Sequence, residues 1–173
     1  QKRPAIEERL TYLKTARPGP DTDAVVCRLH VLVCYLKKRC VLLLRGREDG
    51  TLDARELFLA LQESQRYLDQ AGLQGRVGFD LSGRLPASAA LTLYDVFEEA
   101  GEAALAQGES DWLCQFRESE KDWIFSLVLE QAEGEDWLPA WQGLAAYDVA
   151  VDCDDTGYGR RLTVCVGKEG DHG

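Results

Sequence analysis

Leu91-Thr92-Leu93-Tyr94-Asp95-Val96-Phe97-Glu98-Glu99-Ala100-Gly101-Glu102-Ala103-Ala104-Leu105-Ala106-Gln107 is the stretch on which the reading of this chain turns. It predicts the body of a helix from Ala87 to Gln107, because Ala90, Leu93, Tyr94, Phe97, Ala100 and Ala104 recur at three- and four-residue intervals along one side. Glu99, Ala103 and Gln107 stand four residues apart and share a face of that helix.

Before the helix the period changes. Arg76 to Ser82 alternates with Val77, Phe79 and Leu81 inward, the pattern of a half-buried strand, and Gly83-Arg84-Leu85-Pro86 turns it into the helix. After it, Asp111 to Glu118 and Asp122 to Glu130 form a hairpin around Ser119-Glu120-Lys121. Asp136 to Ala146 is irregular or holds one short helix, and Val149 to Cys153 with Arg161 to Val166 make a second hairpin. This order predicts an α+β fold, a two-layer α/β sandwich with a mostly antiparallel sheet.

The N-terminal part is helical throughout. Pro4 to Ala16 is a short amphipathic helix with Ile6, Leu10 and Leu13 on one side, stopped by Arg17-Pro18-Gly19-Pro20. Asp21 to Asp23 offer an N-cap for a long helix reaching about Arg45, apolar on nearly every side between Val25 and Leu36. Such a helix must be surrounded, which points to a bundle completed by a second subunit. Glu48-Asp49-Gly50 makes a turn, Asp53 caps, and Ala54 to Gln70 forms a third helix with Leu57, Leu61, Ser64 and Leu68 inside, ending at Gly72. Two such antiparallel hairpins about a two-fold axis give a four-helix bundle. The expected organisation is a lead-in over residues 1–21, a helical hairpin over 22–72 and the sandwich over 73–173.

Composition excludes several partners. Thirty acidic against 20 basic residues give a net charge of −10, which repels nucleic-acid phosphates and anionic membrane surfaces. Six cysteines, at 27, 34, 40, 114, 153 and 165, lie in apolar runs and read as buried thiols of a reducing compartment. Cys27, His30 and Cys34 share a helix face but lack a fourth ligand, so no metal site is expected there. No apolar run approaches the roughly 20 residues of a membrane helix. Gln1 opens inside a helical pattern, and the expectation is a cytoplasmic piece of a longer protein.

Two helices followed by this β-α-ββ-α-ββ order resemble the end of a sensor histidine kinase. There a dimerisation and phosphotransfer hairpin precedes the ATPase domain shared by histidine kinases, heat-shock-90 proteins and gyrases. The resemblance covers residues 22–173 and implies ATP and magnesium as cofactors, a homodimer through 22–72 and a response-regulator partner. It makes His30, in Arg28-Leu29-His30-Val31, the matched phosphoacceptor. The family places an acidic residue next to that histidine to draw its proton, and Val31 stands there instead.

The family's ATPase helix reads Glu-x3-Asn-x3-His/Lys, where the Asn binds magnesium and the basic residue meets phosphate. Glu99, Ala103 and Gln107 occupy these places, and alanine has no oxygen for magnesium. The next box, Asp-x-Gly-x-Gly, is Glu130-Gln131-Ala132-Glu133-Gly134. This matches Glu130 to the adenine-binding carboxylate and Gly134 to the last glycine. Ala132 adds a Cβ, and Glu133 faces phosphate with like charge. Where the family has a glycine-rich lid, this chain has Gly143 with Trp137 and Trp141, which either plug the pocket or pack as core.

Gly157-Tyr158-Gly159 reads as a hairpin turn, since no helix N-terminus follows it. Asp152, Asp154 and Asp155 lack the spacing of a calcium loop.

The sequence thus predicts a dimeric, pseudokinase-type signalling module whose nucleotide binding is weak or absent. The alternative is an active histidine kinase that phosphorylates itself on His30. An anti-sigma-like ATPase would have no need of the helical hairpin.

Overall fold

The computed structural model describes residues 3–15, 19–129, 149–155 and 160–168. In chain order their elements are α1 (Arg3–Thr15), α2 (Pro20–Asp49), β1 (Thr51–Asp53), α3 (Ala54–Gln70), β2 (Gln74–Asp80) and β3 (Arg84–Pro86), then α4 (Ala87–Gln107), β4 (Asp111–Glu118), β5 (Asp122–Leu129), β6 (Val149–Asp155) and β7 (Arg160–Gly167).

The sheet runs β2-β4-β5-β7-β6. Among the described strands only the β2–β4 pair is parallel, because α4 must cross over between those two strands. Alternation sets its two faces: Trp112, Cys114 and Phe116 of β4 and Trp123, Phe125, Leu127 and Leu129 of β5 are buried toward the helices. The expected α+β sandwich with a mostly antiparallel sheet is what forms.

Local chemistry departs from expectation at both ends of α2. Gly19, with no side-chain cap, precedes the helix and Pro20 opens it. Proline serves there because the first-turn N–H groups lack intrahelical partners and its φ is already helical. Asp21 and Asp23 fall in the first turn, favourable to the helix dipole rather than at the cap. The helix also continues past Arg45 to Asp49, where Gly50 takes the left-handed conformation (φ 68°) and donates its N–H to the Gly46 carbonyl.

The burial of α2 is one-sided. Val31, Leu32, Cys34, Tyr35 and Leu42 are buried, while Val33, Leu36, Val41, Leu43 and Leu44 are exposed. Of the cysteines expected to be buried, Cys34 and Cys114 are, Cys27 and Cys165 are half-buried, and Cys40 is exposed because it lies on the open side of α2. Cys153 stands in β6.

Between α2 and α3 the chain makes a short strand that hydrophobic periodicity did not announce. Thr51, Leu52 and Asp53 pair antiparallel with Pro86, Leu85 and Arg84, and Leu52 and Leu85, directly opposite one another, are each 1% exposed. Asp53 then caps α3 as expected, its carboxylate accepting from the Arg55 N–H at 2.8 Å. Leu57, Leu61 and Leu68 on the inner side of α3 join the residues of α2, α4 and the sheet in one hydrophobic core that continues across residue 72.

Candidate functional site

The helix α4 is positioned by its sheet side. Phe97 packs against Trp112 and Phe116, with ring centroids 5.1 and 6.1 Å apart, and Leu93, Ala100 and Ala104 complete the contact. Gly101 lets the helix approach Leu68 and Trp112, since a Cβ there would already sit 3.0 Å from Leu68. The C-terminus is fixed by Gly108 in the left-handed region (φ 80°). Glu99 and Ala103 are half-buried and Gln107 is exposed, all three on the face that Phe97 does not use.

The donor chemistry on that face does not suit magnesium or phosphate. Ala103 offers a methyl group and Gln107 a neutral amide, so Glu99 is the one carboxylate of the three; Glu98 is buried, and Glu102 lies on the α2 side beside Arg9 and Arg28. Among the described residues no group of three or more His, Cys, Asp or Glu side chains comes together as a metal site. Glu130 and Gly134, with Ala132, Glu133, Trp137, Trp141, Gly143 and the Gly157-Gly159 turn, lie outside the described residues.

A polar cluster lies where α4 meets α2. Asp95 accepts from Tyr35 Oη at 2.8 Å, from Arg39 Nε at 2.9 Å and from Arg39 Nη2 at 3.1 Å. This is a charge-assisted fork with a second donor. The hydrogen bond to Asp95 raises the Arg39 guanidinium above its ordinary range. Burial, then the Asp95 charge, pushes the Tyr35 hydroxyl up.

Beside it Tyr35 stacks on Tyr94 at 5.7 Å and 21°. The Tyr94 hydroxyl shares a hydrogen bond with Ser64 of α3 at 2.8 Å. Ser64 also contacts the Cys34 sulfur at 3.9 Å, and burial pushes the Cys34 thiol up to about 11. Glu98, 1% exposed, adds its charge to burial in raising the Tyr94 hydroxyl.

The joint extends along both helices. Arg28 Nη2 donates to the Leu105 carbonyl at 3.1 Å, Arg39 meets Asp95, and Gly46 lies against Ala87. As the α2 number rises the α4 number falls, so the two helices pack antiparallel over about 27 Å at 1.5 Å per residue.

His30 occupies another side of α2. It is exposed, with its ring 6.2 Å from that of Tyr67 on α3, on the flank that also carries Cys34 and Lys38 toward α3. The structure therefore groups Tyr35, Arg39 and Asp95, which the sequence reading did not single out, and places His30 over α3. Their only sequence signal is a charge at Arg39 and another at Asp95, each beside an apolar flank.

No family model matches the sequence, and none of the curated proteins matches it significantly. Solved structures do match its fold. The histidine kinase domain of the blue-light activated histidine kinase of Erythrobacter litoralis EL346 is 12% identical with a TM-score of 0.56, over 95% of this chain and 83% of that one. The histidine kinase AdeS of Acinetobacter baumannii is 13% identical with a TM-score of 0.50, over 96% and 94%. A bacterial phosphotransferase is 13% identical with a TM-score of 0.53, over 93% and 86%. At such identities the likeness is one of fold: the chain has the architecture of histidine kinase domains along nearly its whole length.

Proposed function

We propose that this chain is a histidine-kinase-like signalling module that dimerises through α2 and binds magnesium nucleotide weakly or not at all. Ala103 carries the reading. It stands at the place on α4 where the resemblance calls for an oxygen ligand to magnesium, and its neighbours on that face, the Glu99 carboxylate and the neutral Gln107 amide, offer no positive charge to the nucleotide's phosphates. A module of this kind works by conformation: the α2–α4 joint passes a displacement of the long helix to the sandwich, and a protein partner such as a response regulator reads the result.

The dimer rests on the open side of α2. Val26, Leu29, Val33, Leu36, Cys40 and Leu43 follow one another at spacings of 3, 4, 3, 4 and 3, the a/d rhythm of a two-stranded seam. Val33 is 50% exposed, Leu36 37% and Leu43 39%. Paired with a second copy about a two-fold axis they would be removed from water, and Leu10 and Tyr12 of α1, also exposed, would extend the apolar area. Within this reading α1 and α2 supply the bundle, and α3, whose apolar side is spent on the shared core, belongs with the sandwich.

Calorimetric titration with magnesium and a non-hydrolysable ATP analogue tests the nucleotide half. No heat is expected up to millimolar ligand, and micromolar affinity would overturn it. Sedimentation tests the dimer half independently: the wild type is expected to be dimeric and Leu36→Lys monomeric. Incubation with labelled ATP should leave His30 unmodified. Label that disappears in His30→Ala would establish the active-kinase alternative.

A further inference from the structure

The sheet ends at β2, and no described strand covers its outer edge. The register of the β2–β4 pair runs unbroken from Gln74↔Asp111 to Asp80↔Arg117, and the Gln74 N–H donates to the Ser110 carbonyl at 2.8 Å. A parallel ladder bonds alternate residues to its neighbour. Gln74, Arg76, Gly78 and Asp80 therefore face β4, and Gly75, Val77 and Phe79 direct their N–H and C=O groups outward.

Beside this edge α3 and β2 form a groove of about 590 Å³ whose walls include Lys38, Leu59, Glu63, Arg66 and Val77. Leu59 is 53% exposed and Val77 half-buried, so the groove has an apolar floor open to solvent. Its charge runs against that of the chain. In a protein of net charge −10, Arg66 and Arg76 are exposed, and neither is in an ion pair with a described residue. Glu63 is already engaged by Lys37 and Lys38. Proline, a bulge or a covering element would blunt such an edge. The β2 sequence has no proline and its register no bulge.

We propose that the β2 edge docks an extended acidic segment of a partner protein, added as a further strand. Alternation in the added strand places apolar residues on the α3 side, over Leu59 and Val77, and acidic residues on the other side, beside Arg76. The outward groups of Gly75, Val77 and Phe79 supply the main-chain bonds. Arg66, at the rim of the groove, adds to the positive field along this edge, and the two cations favour acidic over basic strands.

The probe is a short synthetic peptide alternating valine and glutamate, with an alternating valine and lysine peptide as control, titrated into the whole chain. The acidic peptide should bind, protect the Gly75, Val77 and Phe79 amides from hydrogen exchange, and weaken as salt rises. Val77→Pro removes one outward donor and leaves the β4 ladder whole, so it should weaken binding by about tenfold. Arg76→Ser should weaken binding by about threefold and flatten its salt dependence. Because exchange is read on the unmodified protein, a folding defect in either variant would not hide the answer. The proposal is overturned by equal binding of the basic peptide, by no binding at millimolar peptide, by protection centred on α2, or by self-association that Val77→Pro abolishes.

Discussion

Asp95 shows how much one carboxylate can organise. It takes four hydrogen bonds from two side chains of α2, and its exposure of 22% keeps these contacts only partly screened. Asp95→Asn keeps the shape but removes the charge that Arg39 pairs with, and should cost about 1–2 kcal/mol. Tyr35→Phe keeps the stack on Tyr94 and loses one bond, at about 1 kcal/mol. Because both changes act on the same carboxylate, the double variant should lose less than the sum, which urea unfolding of all three proteins measures. Glu63 provides a smaller effect with a defined pH dependence. Its hydrogen bond to Lys38 holds its carboxyl below the usual range. A depressed carboxylate stabilises above its unfolded pKa and loses that contribution as pH falls through the folded value. Glu63→Gln should therefore cost at most about 0.5 kcal/mol at pH 7, an expectation set by its exposure, and progressively less as pH falls through the folded value. A urea midpoint difference that persists in acid would count against it.

At the scale of elements, the close crossing of α2 and α4 depends on Gly46. A Cβ at that position would come 2.5 Å from the Ala87 Cβ, whereas alanine would otherwise favour the helix by about 1 kcal/mol. The clash should win: Gly46→Ala is expected to destabilise by about 1–3 kcal/mol, and Ala87→Gly in the same chain to restore most of it. Thermal melts of the single and double variants decide this. Elements with long apolar rhythms were legible in the sequence. The bounds of α3 and α4 follow from Leu57, Leu61 and Leu68 and from Leu93, Phe97 and Ala104, because each residue repeats the same signal. The β1 strand was not, since its three residues show no period and exist as a strand only by pairing with β3, some 33 residues later. The end of α2 was misjudged for a related reason. Glu48 and Asp49 read as a turn in isolation, yet the Gly50 cap and the Gly46–Ala87 contact carry the helix on. The matched positions His30 and Glu99 could be named from order and spacing, but the Arg39–Asp95 pair, 56 residues apart, could not, because no local pattern marks a long-range partner.

For the whole molecule, the shared core decides how the chain behaves as a unit. A hairpin hinged to a sandwich would have two cores with few contacts between them. Here Val31, Tyr35 and Leu42 of α2 belong to the same buried cluster as Leu61 of α3, Phe97 of α4 and Phe125 and Val164 of the sheet. Contiguous packing of this kind makes local opening of α2 costly, because it exposes the inner sides of α3 and α4 together. Unfolding should therefore be a single transition. Far-ultraviolet circular dichroism, dominated by the helices, and tryptophan fluorescence, to which Trp112 and Trp123 of the sheet contribute two of the four indoles, should give coincident urea curves at fixed protein concentration. Asp95→Asn should shift both by the same amount, since the joint it weakens lies between the parts the two probes report. Separate midpoints, with only the circular dichroism curve displaced by the substitution, would mean that α2 opens while the sandwich stays folded. The joint would then act as a hinge and could not pass a displacement of the long helix to α4. The conformational mechanism needs the coincident result, because a helix that comes away from α4 before the sandwich responds carries no signal to it.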